Sequence, residues 1–333
     1  MVFIIQIYTL DYLYRMKKPF FVLLFFASQL AFSQKKISTL IIDGQNNHDQ
    51  WPKITMMIKT MLEQSGRFKT VDIHRYSKTW NGEKYLKDYT PANVHATQIV
   101  KKPEVDSLYA PNFNKYDVII CNFGWNAAPW PEATQRSFEK YMSNGGGLVV
   151  FHAADNSYPE WPAYNEMIGL GGWGNRTEKS GPYVYYNKEE KLIIDTASGR
   201  GGSHGPQHEF TIRIREKNHP ITKGMPDEWL HTIDELYDRL RGPAKNMQVL
   251  ATAFSSLDKK GTDRHEPMLM VLQYGKGRIV HTPMGHIDQS VSCVGFITCM
   301  LRGAEWAATG KVTIPIPADF PTKDKTSSRE VIK

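Results

Sequence analysis

The residues with the most chemistry to offer are histidines that follow apolar runs. His48 comes after Leu40-Ile41-Ile42, His152 closes Leu148-Val149-Val150-Phe151, and His286 follows the run 278–282 across Gly285. An imidazole changes charge near neutral pH, so each can take or give a proton, and when neutral each can ligate a metal. Carboxylates lie close in sequence: Asp155 three residues past His152, and the pair Asp234-Glu235 just before Tyr237. Alternate residues of a strand share a face, so Glu235 and Tyr237 point together and at most one of the two carboxylates faces a site. The expected proton-transfer groups are His152, His208, Glu235 and His286.

His204 and His208 are four apart, the spacing that puts two ligands on one helix face. Gly205 and Pro206 lie between them and break a helix, so the pair can converge only from a loop, as ligands or proton carriers. A divalent ion such as zinc suits neutral imidazole, and His48 and His204 are its candidate ligands; no other cofactor is indicated. Structural roles compete elsewhere. Asp49 is placed to cap a helix starting near Trp51. His219-Pro220 reads equally as a turn and as a chemical group, and Arg278 as structural. Cys121 sits in an apolar strand as a small buried hydrophobe. Cys121, Cys293 and Cys299 lack metal spacing, and no disulfide framework is indicated. His74 and His95 are assigned to the surface, and His231, His265 and His281 rank below the histidines above.

These side chains need elements that bring strand ends together. Strands are expected at 40–42, 71–73, 116–121 and 147–151, with helices at 51–64 and 131–143 between them. That alternation specifies an α/β fold, a doubly wound, mostly parallel sheet. Ligands of such sheets sit beyond the carboxyl ends of the strands, where 46–49, 125–126 and 152–155 fall. Related architectures carry a Cys or Ser nucleophile on the sharp turn after the strand ending at Phe151, and this chain has neither there. The polar and aromatic stretch 77–111 is expected to be an insertion forming a lid or rim. Further strands are expected at 183–186, 192–194, 210–214, 236–240, 249–253, 268–273 and 278–282. Gly275-Lys276-Gly277 forms a hairpin turn, 199–207 a Gly-rich loop, and 291–308 a closing helix.

Ahead of this domain, Met16-Lys17-Lys18, the apolar run 19–30 and Ala31-Phe32-Ser33 follow the basic, apolar, small order of a signal peptide. The run is short for a membrane span. Cleavage would leave Gln34 first, with Met16 as an alternative start. The reading is an exported protein, periplasmic or extracellular, without a permanent membrane anchor. A single domain is expected over 34–310 and a frayed polar tail over 311–333. The formal net charge is +7; removing the +2 of residues 1–33 leaves +5, scattered without a Lys/Arg run. Nucleic-acid binding is therefore not expected. A homo-oligomer is left open.

Four ordered segments carry a family resemblance: Asn218-His219-Pro220-Ile221-Thr222-Lys223-Gly224, Asp234-Glu235-Leu236-Tyr237, Tyr274-Gly275-Lys276-Gly277-Arg278-Ile279-Val280, and Gly285-His286. The chain resembles the ThuA-like (trehalose utilisation) family over residues 37 to 310. The resemblance implies a flavodoxin-like sheet related to the class I glutamine amidotransferases, and a role with trehalose, other glycosides or 3-keto-sugars. Glutamine hydrolysis is not carried over, because the nucleophile is missing. A sugar site would use Trp125, Trp130, Trp161 and Trp173, whose flat rings can stack on sugar faces. The expected substrate-binding residues are Asn47, Trp125, Asn126, Asp155, Trp173 and Tyr237, and the expected partner is a small carbohydrate. The expected activity is a hydrolase, lyase or isomerase working by acid/base or metal-assisted chemistry; the alternative is a sugar-binding protein of an uptake system without chemistry.

Overall fold

The structure is a computed structural model that describes residues 35–95 and 97–332. The signal-peptide reading falls on residues outside these. In chain order the elements are β1 (Ile37–Gln45), α1 (Trp51–Gln64), β2 (Phe68–Trp80), α2 (Glu83–Leu86), β3 (Gln98–Val100), β4 (Val118–Asn122), α3 (Glu132–Ser143), β5 (Gly147–Phe151) and α4 (Pro162–Ile168). There follow β6 (Tyr183–Tyr186), β7 (Leu192–Asp195), β8 (Ser203–His204), β9 (His208–Ile214), β10 (Glu228–Asp234), β11 (Tyr237–Asp238), β12 (Met247–Ser255), β13 (Arg264–Tyr274), β14 (Gly277–Thr282), α5 (Asp288–Val291) and α6 (Val294–Thr309).

One mixed sheet runs in the order β10-β9-β12-β13-β14-β5-β4-β1-β2-β3, with β6 and β7 attached to β13. From β14 to β3 every pairing is parallel. Within it, β2-β1-β4-β5-β14 is the flavodoxin-like order, as expected. Every residue of β4 and β5 is buried, because helices cover both faces; this is why those strands read as unbroken apolar runs. One core packs α1 and α6 on the sheet through Ile58, Leu62, Phe296 and Met300, while the other face packs Phe138, Tyr164 and Met167 of α3 and α4. The later strands extend the same sheet antiparallel.

Four local expectations are corrected. The stretch 77–111 is not a free lid: β2 continues to Trp80, β3 pairs beside it, and Asp106 Oδ2 accepts the Ser77 amide and hydroxyl. Asp49 caps nothing; Gln50 stands at the N-cap of α1 without a side-chain bond, and Pro52 in the first turn has no N–H to satisfy. β10 was not anticipated, and the strand expected at 236–240 shrinks to β11. The buried face of β10 carries Trp229, His231, Thr232 and Asp234, so its apolar alternation is hidden by polar residues. The tail does not fray. Ile314, Ile316 and Phe320 pack on the core, and backbone bonds run from Leu230 N–H to Thr322 O, Val294 N–H to Ser327 O and Arg329 N–H to Ser292 O. The last two flank the break that divides the expected closing helix into α5 and α6.

A candidate histidine and carboxylate centre

Four strand ends deliver four side chains to one point. His48 follows β1, His152 follows β5, Glu235 follows β10 and His286 follows β14. One ligand-capable atom from each lies within 4.8 Å of all the others, the one such group among the described residues to combine imidazole and carboxylate in this way. The ring centroid of His48 is 4.7 Å from that of His152 and 4.5 Å from that of His286, and the last two are 5.0 Å apart. Glu235 approaches His152 Nε2 at 3.9 Å and His286 Nε2 at 3.6 Å. The sheet supplies this convergence: β1 and β14 flank β4 and β5, so their carboxyl ends open on the same edge.

His152 sits at φ +44°, a backbone conformation unfavourable for a side-chain-bearing residue. Its position is the sharp strand-to-helix turn where related folds hold a nucleophile; here the turn presents an imidazole. Its Nδ1–H donates to Pro283 O at 3.0 Å. A carbonyl can only accept, so the neutral ring keeps its Nε2 lone pair facing the cluster, 3.1 Å from the Tyr237 hydroxyl. Asn47 Oδ1 accepts the Trp125 amide, which turns the Asn47 amide nitrogen toward His48 Nε2 at 2.9 Å.

Burial sets the protonation states. Desolvation, helped by His286 and His204, pushes His48 down to about 3, and His152 is driven well below the ordinary imidazole value by burial and by His48 and His286. Burial also raises Glu235, against the pull of His286 and His204. His48 and His152 are therefore held neutral at physiological pH, the form that ligates metals.

Beside the cluster lies a cavity of about 790 Å³ walled by Trp125, Asn126, Asn156, Trp173, Arg200 and His204 among others. His204 belongs to both places. It lines the cavity, its Nε2 is 3.8 Å from Glu235 Oε1, and its ring lies over Tyr237 with centroids 5.9 Å apart. Backbone with positive φ gathers here at Asn126, Tyr158, Trp173 and Asn175; such strain concentrates at functional sites.

Of the residues expected from sequence, His48, His152, Glu235 and His286 meet, with Tyr237 bonded to His152 and Asn47 to His48. Trp125, Asn126 and Trp173 line the cavity. His204 stands at the rim and is not one of the four. Other expectations are corrected. His208 starts β9 with Nδ1 on Pro206 O and its ring against Phe210, away from the cluster, because alternation along β9 aims it elsewhere. Asp155 is fully buried, bonds His281 Nε2 at 3.2 Å and does not line the cavity. Trp130 and Trp161 pack on each other; Trp130 stays in the core, while Trp161, though buried, also lines the cavity. Arg278 is structural, bonding carbonyls at the end of α6, and His219 takes the turn role through its Nδ1 and the Ile221 amide. His74 is half-buried against Tyr109 instead of on the surface.

Sequence reasoning missed Asn156, Arg176, Arg200 and Gln207. Gln207 Nε2 lies 3.0 Å from His286 Nδ1, and Arg176 is buried with its guanidinium on the carbonyls of Gly172 and Ser157. Asn156 ends the 3-10 turn after β5 and the other three lie in loops, where no periodicity marks them.

Comparison with known proteins agrees with this architecture. The family model described as trehalose utilisation, ThuA, matches residues 38–307. A ThuA-like protein from Parabacteroides merdae is 41% identical, with a TM-score of 0.77 over 89% of this chain and 98% of that one. A ThuA-like protein from Bacteroides uniformis shares the fold at 20% identity, with a TM-score of 0.52 over 83% of this chain and 93% of the other. No curated protein matches. The chain belongs to the ThuA, or trehalose utilisation, family.

Proposed function

We propose that this protein is a carbohydrate-utilisation enzyme that holds a glycoside or keto-sugar in the aromatic cavity and moves protons on it at the adjoining histidine and carboxylate centre. The observation that carries the reading is the juxtaposition of His48, His152, Glu235 and His286 with a cavity walled by Trp125 and Trp173. Tryptophan faces suit the apolar faces of sugar rings, while Asn126, Asn156 and Arg200 offer donors to hydroxyls. His204, in contact with both cavity and Glu235, is the group best placed to exchange a proton with bound sugar.

The donor set fits a divalent metal such as zinc. It comprises three imidazoles, two of them held neutral by burial, and one carboxylate, all within reach of one point. When bound, such an ion would polarise a sugar carbonyl or hydroxyl as a Lewis acid. The chain's own part is to orient His152 through Pro283, to exclude water with the buried Tyr237, and to keep His204 at the rim. Export is part of the proposal, on the strength of the basic, apolar and small-residue order of residues 16–33; the intact mass of protein from its native cell should start at Gln34.

The test is turnover of trehalose, other disaccharides and their 3-keto forms by protein stripped with a chelator, then reloaded with zinc. The expected result is activity on at least one sugar, lost on stripping and restored by zinc. A second reading, sugar binding without chemistry, is favoured by one observation: none of the four cluster residues lines the cavity. Binding of a sugar by calorimetry with no turnover of it would establish that reading and overturn the first.

A further inference from the structure

Asp234 is a carboxylate with no exposed surface at the end of β10. It accepts four hydrogen bonds. Oδ2 takes His231 Nε2–H at 2.8 Å and the Gly285 amide at 2.8 Å; Oδ1 takes the Glu235 amide at 2.8 Å and the His286 amide at 3.1 Å. Two of those amides belong to residues that form the centre. The loop so held also carries Pro283, whose carbonyl fixes the His152 ring. One carboxylate thus ties β10 to the loop after β14, and through it sets three of the four side chains. A carboxylate has about four acceptor sites, so Asp234 is saturated and has none to offer a metal or substrate. The adjacent Glu235 accepts no backbone bond of this kind and faces the imidazoles. Sequence neighbours therefore divide the work.

We propose that Asp234 is the positioning residue of the centre: it sets the distances among Glu235, His286 and His152, and is itself locked by His231. The His231 ring is clamped between Phe210 and Trp229, with centroids at 5.1 and 5.8 Å, so the far end of the tie is rigid. This proposal rests on the metal-centre reading above, and Asp234 acts through other residues without touching substrate.

Zinc affinity, measured by competition with a chromophoric chelator, tests it on the full chain. Asp234→Asn keeps the size of the side chain but turns an N–H₂ toward amide donors. It should weaken zinc binding about 10–100-fold, the usual effect of removing a group that orients a ligand, while near-UV circular dichroism stays native. His231→Phe preserves the ring and deletes the lock, and should weaken zinc binding in the same direction by a smaller factor. Glu305→Gln, a buried carboxylate on α6 bonded to Arg67 and Thr313, controls for general destabilisation: it should lower the melting temperature and leave zinc affinity unchanged. Wild-type affinity in both Asp234→Asn and His231→Phe overturns the proposal and leaves the metal-centre reading intact. If Asp234→Asn does not fold, His231→Phe decides alone, and unchanged affinity there overturns it. Wild-type protein that binds no zinc fails the metal-centre reading itself, and this proposal with it.

Discussion

The Tyr237 hydroxyl stands 3.1 Å from Nε2 of His152, on the side of the ring opposite the Pro283 carbonyl. In the metal-free protein these two contacts hold the imidazole in one orientation and tautomer, and an ion taking Nε2 would displace the Tyr237 hydroxyl from that lone pair. Tyr237→Phe keeps the ring and removes only the hydroxyl. It should cost about 1 kcal/mol of stability and lower turnover about 10–100-fold. Urea unfolding and steady-state kinetics on the same preparation separate the two effects. Wild-type turnover in this variant would mean that the bond does not orient His152.

Buried histidines should give the metal-free protein a stability maximum near neutrality. Burial chiefly depresses His48 and His152, so below about pH 6.5 the unfolded chain binds protons that the folded one refuses. Stability should fall as the pH drops from there toward 3. His231 behaves oppositely: burial opposes its charge, but the Cys293 thiol and the Asp234 carboxylate push it up to about 9. Its contribution is complete below about pH 6.5 and is lost as the pH rises through 9. Urea midpoints from pH 4 to 10 measure both limbs. His48→Gln should flatten the acid limb; an unchanged acid slope would show that His48 is not held neutral.

The tryptophans should sort by position. Trp161 lines the cavity too, but is buried against Trp130 and Tyr164 and donates to Glu139 at 2.7 Å, so its weight falls on stability. Trp161→Ala should cost about 3–5 kcal/mol of stability. Trp125 is 42% exposed at the cavity, and Trp125→Ala should change stability by less than about 0.5 kcal/mol. Its effect belongs in sugar affinity, as a raised KM with kcat little changed. Thermal unfolding paired with sugar titration distinguishes them, and a Trp125→Ala protein with normal affinity would remove that residue from the site.

Gly285 adopts φ +108°, and a Cβ there would come within 2.9 Å of the Phe296 ring. Gly285→Ala should therefore cost about 1–3 kcal/mol and displace His286, weakening zinc binding as well. Loss of stability with unaltered zinc affinity would show that the loop yields without moving the histidine.

The sequence by itself determined the parallel half of the sheet. Leu40-Ile41-Ile42, Val118 to Cys121 and Leu148 to Phe151 are apolar on both faces because helices cover both, and their alternation with amphipathic helices points to that arrangement. It also determined that histidines stand past strand ends, since chain order alone places His48 and His152 past the first and third of those runs and His286 past the run 278–282. Glu235 and Tyr237 were named from alternation along one strand; they do meet at His152, but Glu235 comes from the link between β10 and β11. The convergence was not legible. Whether His208 joins His152 depends on pairing between β9, β12 and β10, which are separated by long loops, and a shift of one residue turns every side chain to the other face. β10 was hidden because its buried face is partly polar, and those polar residues are buried only because Asp234 and His231 satisfy each other and the loop at Gly285. Asp155 looked equivalent to its neighbours in sequence, and the packing of His281 beneath it took it out of the cavity wall. Local pattern reports which groups lie at strand ends; which of them touch is decided by pairing and burial across more than a hundred residues.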